Sequence, residues 1–353
     1  MNGMAGVPGS AGEPREYAAA GVDLEAAESA KARIGELVAG TRTPLSLGQV
    51  GAFGGMVRIP DGMRKPTLVL STDGVGTKVL VALQAGRFDT VGEDLVNHSV
   101  NDILVHGATP IAFMDYIAGT GLGVEHIAGI IEGIARGCRA HAMALAGGET
   151  AQMPGLYQPG TYDLAGTIIG VVEEDRAIHG DAIMPGDVLL GYASSGLHTN
   201  GYTLARRIVF EQMRLDLDDQ LGITGRTVGE SLLAIHRSYF RSVVPVLDLV
   251  HGLAHITGGG IAGNLVRILP ADRAATVDPD SWELPPLFTT LQQAGRVSTK
   301  EMRDVFNLGA GLIAVLPPDA VSAAQRAASA DGVTTWVMGE VSHGSRAVRF
   351  ARP

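Results

Sequence analysis

The residues Ser71-Thr72-Asp73-Gly74-Val75-Gly76-Thr77-Lys78 follow directly on the strand-like run Pro66-Thr67-Leu68-Val69-Leu70, and they constrain the fold more than any other stretch of the chain. A strand that ends in a carboxylate, flexible glycines, a hydroxyl and an ammonium suits a magnesium-bound phosphate group. The spacing is not that of a P-loop, G-x-x-x-x-G-K-[ST]. One residue separates Gly74 from Gly76, and Thr77 precedes Lys78 instead of following it. A strand closed by an ordinary glycine turn explains the same residues, so this stretch by itself leaves both readings open.

The chain has 353 residues, 46% apolar and 18% charged, which allows two domains with substantial cores and is unlike a disordered protein. With 27 Lys and Arg against 37 Asp and Glu, the formal net charge of -10 argues against a surface that holds nucleic acid by general phosphate attraction. An anionic ligand then needs local help from backbone N–H groups, a few cations and a divalent metal, and 48 glycines make that route available. Cys138 is the single cysteine, which excludes an intrachain disulfide and any multi-cysteine metal site and fits a cytoplasmic location. Ile127, Ile130, Ile131, Ile134 and Cys138 recur at helical spacing, so Cys138 reads as a core residue rather than a nucleophile. No apolar run reaches the ~20 residues that span a bilayer. Residues 1–16 lack the basic start and apolar middle of a secretory signal and read as a flexible tail.

Periodicity predicts strands near 66–72, 111–118, 142–147 and 163–172, with helices near 89–106 and 124–139. A polar stretch from Glu173 to Asp181 and the turn Met184-Pro185-Gly186-Asp187 follow, so an N-terminal domain is placed at 17–174 and a C-terminal one at 175–353. In the second half the pattern predicts strands at 188–193, 273–278, 311–316 and 333–341, and helices at 199–213, 228–250, 261–269, 285–294, 299–306 and 318–330. Strands and helices mix without regular alternation, which favours an α+β architecture over a doubly wound sheet.

The predicted helix at 89–106 carries Asp94, Asn97, His98, Asn101 and Asp102 along one face, opposite Leu95, Val96, Val100, Ile103 and Leu104. Solvated faces usually carry Lys and Glu, and Asn and Asp are poorer helix formers. Metal or phosphate coordination is one reason to find them here, and solvation is the other. Gly147-Gly148-Glu149-Thr150 sets a carboxylate just past a predicted strand, where permissive backbone lets an acid approach a cation, although an exposed turn reads the same. Between a strand and a helix, Ser194-Ser195-Gly196-Leu197-His198-Thr199-Asn200-Gly201 resembles an anion cradle. Helix capping explains Thr199 or Asn200, but not Ser194, Ser195 and His198 together. In His255-Ile256-Thr257-Gly258-Gly259-Gly260, consecutive glycines at a helix start suit close approach to a ligand, with His255 able to donate a proton. A lone loop histidine is more often structural. The chain has no G-x-S-x-G elbow and no H-E-x-x-H.

Taken together, residues 72–78, Val100-Asn101-Asp102, residues 147–155, residues 194–202 and residues 255–260 resemble the phosphoribosylformylglycinamidine cyclo-ligase family, the AIR synthetases, in order and spacing. Tyr162-Asp163-Leu164-Ala165-Gly166 and Phe306-Asn307-Leu308-Gly309 extend the resemblance, with Leu308 where relatives often have Cys, and residues 47–55 are a looser version of the family's glycine loop. The resemblance implies a two-domain AIR synthase-like fold, in which the N-terminal mixed sheet forms a shared β-barrel in a homodimer and the C-terminal domain is a layered α/β unit. It also implies ATP-dependent closure of formylglycinamidine ribonucleotide to 5-aminoimidazole ribonucleotide in purine biosynthesis, by way of phosphorylation of the formyl amide oxygen. On that resemblance Asp73, Asp102 and Glu149 hold Mg2+, while Gly54, Gly55, Asp73, Gly74, Gly76, Thr77, Lys78 and Asn101 bind ATP. Ser195, His198, Thr199, Asn200, Thr257, Gly258, Gly259 and Gly260 address the substrate, and His255, Lys78 and His198 are the expected catalytic residues. Nucleic-acid and membrane partners are not expected.

The same superfamily holds thiamine monophosphate kinase, selenophosphate synthetase and a hydrogenase-maturation dehydratase. The second would want a reactive Cys in the N-terminal glycine loop and the third a Cys at its C-terminus; this chain has neither and ends Phe350-Ala351-Arg352-Pro353. A thiamine monophosphate kinase-like enzyme and a non-catalytic nucleotide-binding protein are the remaining alternatives. The latter would have lost its ATP-site acids, whereas Asp73, Asp102 and Glu149 are all present.

Overall fold

The computed structural model describes residues 33–48 and 53–351; the tail expected at 1–16 and part of the glycine loop lie outside them. Ser46–Leu47 (β1) pairs antiparallel with Met56–Val57 (β2). Pro66–Gly74 (β3), Thr109–Gly119 (β4), Ala144–Gln152 (β5) and Tyr162–Glu173 (β6) then form a sheet in the order β3-β6-β4-β5, antiparallel except for β4 beside β5. A parallel pair needs a crossover, which the helix Val124–Ala140 supplies. Its Ile127, Ile130, Ile131, Ile134 and Cys138 are all buried, as their spacing predicts. Burial pushes the Cys138 thiol up well above its ordinary range and keeps it protonated, so it is no nucleophile.

The helices Lys78–Ala85 (α1), Asp89–Leu104 (α2) and Val124–Ala140 (α3) belong to this half. The α2 and α3 backbones nearly touch: a Cβ on Gly92 would lie 2.0 Å from the Ile130 oxygen, and one on Gly133 1.9 Å from the Asp89 oxygen. Any side chain at either position forces the helices apart.

The second sheet comprises Val188–Ala193 (β7), Gly252–His255 (β8), Arg273–Val277 (β9), Ala310–Leu316 (β10), Thr335–His343 (β11) and Ala347–Phe350 (β12). Its order is β12-β9-β11-β7-β10-β8, antiparallel apart from β12 with β9. Every residue of β10 is buried. Leu312, Ala314 and Leu316 pack with Ala320, Ala324 and Ala328 on one face, and Ala310, Ile313 and Val315 with Ile261 and Leu265 on the other. Helices therefore cover both faces, and that is why β10 reads as a continuous apolar run.

The pattern fails at a few elements. The short strands β8 and β12, of four residues each, give periodicity too little length to register. The apolar run in α1, Val79-Leu80-Val81-Ala82, is equally compatible with a strand and carried no helical signal. Strand β5 continues through Gly147 and Gly148 to Gln152, because both glycines stay paired with β4. The helix expected at 199–213 is α-helical only over Tyr202–Arg206 and widens into a π-helical turn to Gln212. The helix expected at 228–250 is broken into Val228–Leu232, a non-helical segment at 233–239, Phe240–Val243 and a tight turn, Val244–Leu249.

Candidate active site

The polar face of α2 explains that break, and it is mostly neither solvated nor open to a ligand. Asp94 Oδ1 accepts from the His236 N–H at 2.6 Å, and Asn97 Nδ2 donates to the His236 oxygen at 2.8 Å. Asn101 accepts from the Tyr239 N–H at 2.9 Å and donates to the Arg237 oxygen at 2.8 Å. Backbone groups engaged this way cannot pair within a helix. Lys78, expected at the ATP phosphates, is fully buried and 2.7 Å from Asp94 Oδ2, with further donations to the Ala234 oxygen at 2.7 Å and the His198 oxygen at 3.1 Å. Lys78 and Asn101 thus join the two halves of the protein, and neither lines the cleft.

A cleft of about 470 Å3 opens between β3 and β8, lined by Ser71, Asp73, Asp102 and His255 and by the cationic or titratable His106, His179 and Arg267. Asp73 Oδ2 lies 2.8 Å from His98 Nε2, which is 3.5 Å from Asp102 Oδ2. Asp102 Oδ1 lies 2.8 Å from His255 Nδ1, and Asp102 Oδ2 accepts from the Ser71 hydroxyl at 3.0 Å. Burial opposes the charge on Asp102, but hydrogen bonds from His255 and His98 outweigh it and hold the carboxyl well below its ordinary range. Asp73 is lowered in the same way, burial being outweighed mainly by His98. Burial also disfavours a charged His98, yet its bonds to Asp102 and Asp73 raise it to about 9. The wall therefore presents ionised carboxylates fixed by imidazoles.

Other expected residues are placed differently. The row Asp73–Gly166–Asp115–Gly148 runs across the sheet, so Glu149 sits three strand spacings, about 14 Å, from Asp73. Being in the next row, beside Tyr116, it also projects from the opposite face. One chain does not bring Glu149 to Asp73 and Asp102. Gly55 packs against the Ala146 backbone at that same far edge, where a Cβ would fall 2.2 Å from the oxygen, and Gly54 has open space around it. Gly74 keeps its strand pairing, Gly76 turns the chain at φ 55°, and the Thr77 hydroxyl meets that of Thr203 at 3.2 Å.

The expected anion cradle is occupied by protein partners. Ser195 Oγ donates to the Ile235 oxygen at 2.5 Å, and buried His198 accepts from the Ser195 N–H at 3.2 Å and stacks on His236. Burial pushes His198 and His236 well below the ordinary imidazole range, so both are neutral. Thr199 lies between His98 and His236, and Asn200 Oδ1 accepts from the Gly258 N–H at 3.0 Å. These contacts leave His198 without access to a substrate. Thr257 lines the cleft. Gly258 and Gly259 are exposed, whereas Gly260 is required by packing, since a Cβ there would lie 1.8 Å from the Arg303 oxygen.

His236, His106, His179 and Arg267 were not singled out by sequence, and Ser71 entered only as the first residue of the stretch 71–78. His236 stands in a stretch that reads as helix, and Arg267 at a helix end reads as a solvated cation. His98 alone carried a signal, as part of the polar face of α2.

The family model for the AIR synthase related protein N-terminal domain matches residues 54–172, and the one for the C-terminal domain matches residues 184–351. The chain therefore belongs to the AIR synthase related proteins. A phosphoribosylformylglycinamidine cyclo-ligase from Sorangium cellulosum is 47% identical over 92% of this chain and 94% of its own. One from Thermosynechococcus vestitus is 45% identical over 94% and 97%. Within the wider class, the chain is a member of the phosphoribosylformylglycinamidine cyclo-ligase family. The fold is also that of a thiamine-monophosphate kinase from Stenotrophomonas maltophilia, with TM-score 0.68 and 19% identity over 90% of this chain and 94% of the other. A hydrogenase maturation protein HypE in complex with ATP matches with TM-score 0.64 and 18% identity over 89% of each chain.

Proposed function

We propose that this chain catalyses the ATP-dependent closure of formylglycinamidine ribonucleotide to 5-aminoimidazole ribonucleotide, with release of ADP and phosphate, in purine biosynthesis. The observation that carries this reading is near-full-length identity of 47% to a protein of that name. The formyl amide oxygen is a poor leaving group. Transfer of the γ-phosphoryl group of ATP to it forms a C–O–P linkage; the amidine nitrogen then bonds to that carbon, the C–O bond breaks, and phosphate and a proton depart. Positioning and charge neutralisation carry most of such catalysis.

Asp73 and Asp102 offer hard carboxylate oxygens at the cleft, a donor set that fits Mg2+. When bound, the ion neutralises charge on the ATP phosphates. His255, its Nδ1 held by Asp102, orients the reacting amide and holds a proton beside it. We assign Arg267, with His106 and His179, to the ribose phosphate, because Arg267 is the one Arg or Lys among the residues that line the cleft and the two histidines line it as well. Arg267→Ala is expected to raise KM for the ribonucleotide by about 10- to 100-fold, the scale of a lost charge-assisted hydrogen bond, with kcat little changed. An unaltered KM in steady-state kinetics places the phosphate elsewhere.

On the face of the first sheet opposite the helices, Leu68, Leu70, Met114 and Tyr116 are exposed. An apolar face ending at β3, whose outer edge is unpaired among the described residues, needs cover, and we assign it to a second copy in a shared barrel. Glu149 projects from this face, so the same contact accounts for an ATP-site acid that one chain leaves remote. Leu70→Asp is expected to give monomers in size-exclusion chromatography with light scattering; a persistent dimer contradicts the assignment. A cytoplasmic location goes with this reading, and among the described residues no helix is long and apolar enough to cross a membrane.

The purified protein incubated with formylglycinamidine ribonucleotide, ATP and Mg2+ is expected to form ADP and the imidazole product together. ADP release independent of that ribonucleotide, or dependent on thiamine monophosphate, overturns the proposal.

A further inference from the structure

Asn264 lies in the helix Gly260–Leu265, just before Arg267 in the chain, and is buried. Both ends of its amide are engaged. Nδ2 donates to the Gly260 oxygen at 2.8 Å and to the Thr257 and Gly258 oxygens at 3.3 Å each. Oδ1 accepts from the Thr257 hydroxyl at 3.2 Å and from Arg267 Nη1 at 3.3 Å. The orientation of an amide is assigned from its partners, and these partners allow only one. Carbonyls only accept, and a guanidinium only donates. The flipped amide would set its oxygen against three carbonyl oxygens and its NH2 group against a cation.

The loop that supplies these carbonyls is itself tied down. Gly260 is packed against the Arg303 backbone, where a Cβ would lie 1.8 Å from the oxygen, and the Gly258 N–H donates to Asn200 Oδ1 at 3.0 Å. The loop therefore orients the amide, and the amide can offer only its oxygen to Arg267. Arg267, by contrast, is exposed at the cleft, and Asn264 is its one hydrogen-bond partner among the described residues. Its remaining N–H groups are open to an anion. A long exposed side chain samples many rotamers, and holding one of them before binding removes that ordering cost from the affinity. We propose that Asn264 is the positioning residue for Arg267, holding the guanidinium at the cleft so that the phosphate monoester of the ribonucleotide meets a cation already in place. This role rests on the assignment of Arg267 to that phosphate.

Steady-state kinetics on the full chain tests this role. Asn264→Ala introduces a good helix former. It is expected to raise KM for the ribonucleotide about 3- to 10-fold, the scale of ordering one long side chain, with kcat and KM for ATP unchanged. The double variant Asn264→Ala/Arg267→Ala is expected to show the KM of Arg267→Ala alone, because the group that Asn264 places is gone; residues in contact couple in this way. Should Asn264→Ala not fold by circular dichroism, Asn264→Asp reads the same contact. It keeps the shape and the oxygen, but its charge neutralises the guanidinium, so KM for the ribonucleotide is expected to rise at least as far. A raised KM in Arg267→Ala beside an unaltered KM in the folded Asn264 variant, or single effects that multiply in the double variant, overturns the proposal and leaves the phosphate assignment standing. An unaltered KM in Arg267→Ala overturns both. An equal rise in KM for ATP marks a structural role alone and also overturns the proposal.

Discussion

Lys78→Met is expected to lower unfolding stability by about 3–5 kcal/mol, the cost of breaking a buried ion pair from one side. The methionine fills the space of the alkyl stem, but Asp94 remains buried without its cation and two carbonyls lose their donor. The double variant Lys78→Met/Asp94→Leu is expected to recover part of the loss, because an apolar pair of similar volume removes the unpaired charge but leaves the His236 N–H and the two carbonyls without their partners. Urea unfolding followed by circular dichroism reads both. A Lys78→Met protein as stable as the wild type, with raised KM for ATP, would return Lys78 to the phosphates.

That residue also illustrates what the chain discloses before it is folded. The amphipathic spacing of α3 and the unbroken apolar run of β10 are local patterns whose burial follows directly, and both appear where expected. The polar face of α2 was visible as an anomaly, yet a pattern reports that a face is special and not what lies opposite it. Asp94, Asn97 and Asn101 meet backbone groups of residues 236–239, far along the chain, and that segment reads as helix because its apolar residues keep helical spacing. The strand end before Glu149 was misread for a related reason: two glycines before it look like a turn, whereas both pair in β5 and carry the acid along the far edge on the opposite face. Asp73, Asp102 and His255 were legible, since acids and a histidine at strand and helix ends needed only the fold to bring them together. Arg267 and His236 had no local signal at all.

Asp102→Asn is expected to lower kcat/KM for ring closure by at least about a hundredfold, the scale for removing one preorganised electrostatic group. Asparagine preserves the shape but gives up the charge facing His255 and His98, together with the oxygen offered to Mg2+. Circular dichroism is expected to show a folded protein, and Ser71 and Asp73 keep their places on the wall. Activity within about threefold of the wild type, less than 1 kcal/mol of barrier, would remove Asp102 from the chemistry.

Ring closure in this cleft depends on turning the formyl oxygen into phosphate. Substrate labelled with oxygen-18 at the formyl amide, turned over with unlabelled ATP and Mg2+, tests that step directly by mass spectrometry of the released phosphate. The label is expected in inorganic phosphate, mole for mole with the imidazole product. Unlabelled phosphate, with the oxygen-18 lost to water, would contradict activation by phosphoryl transfer.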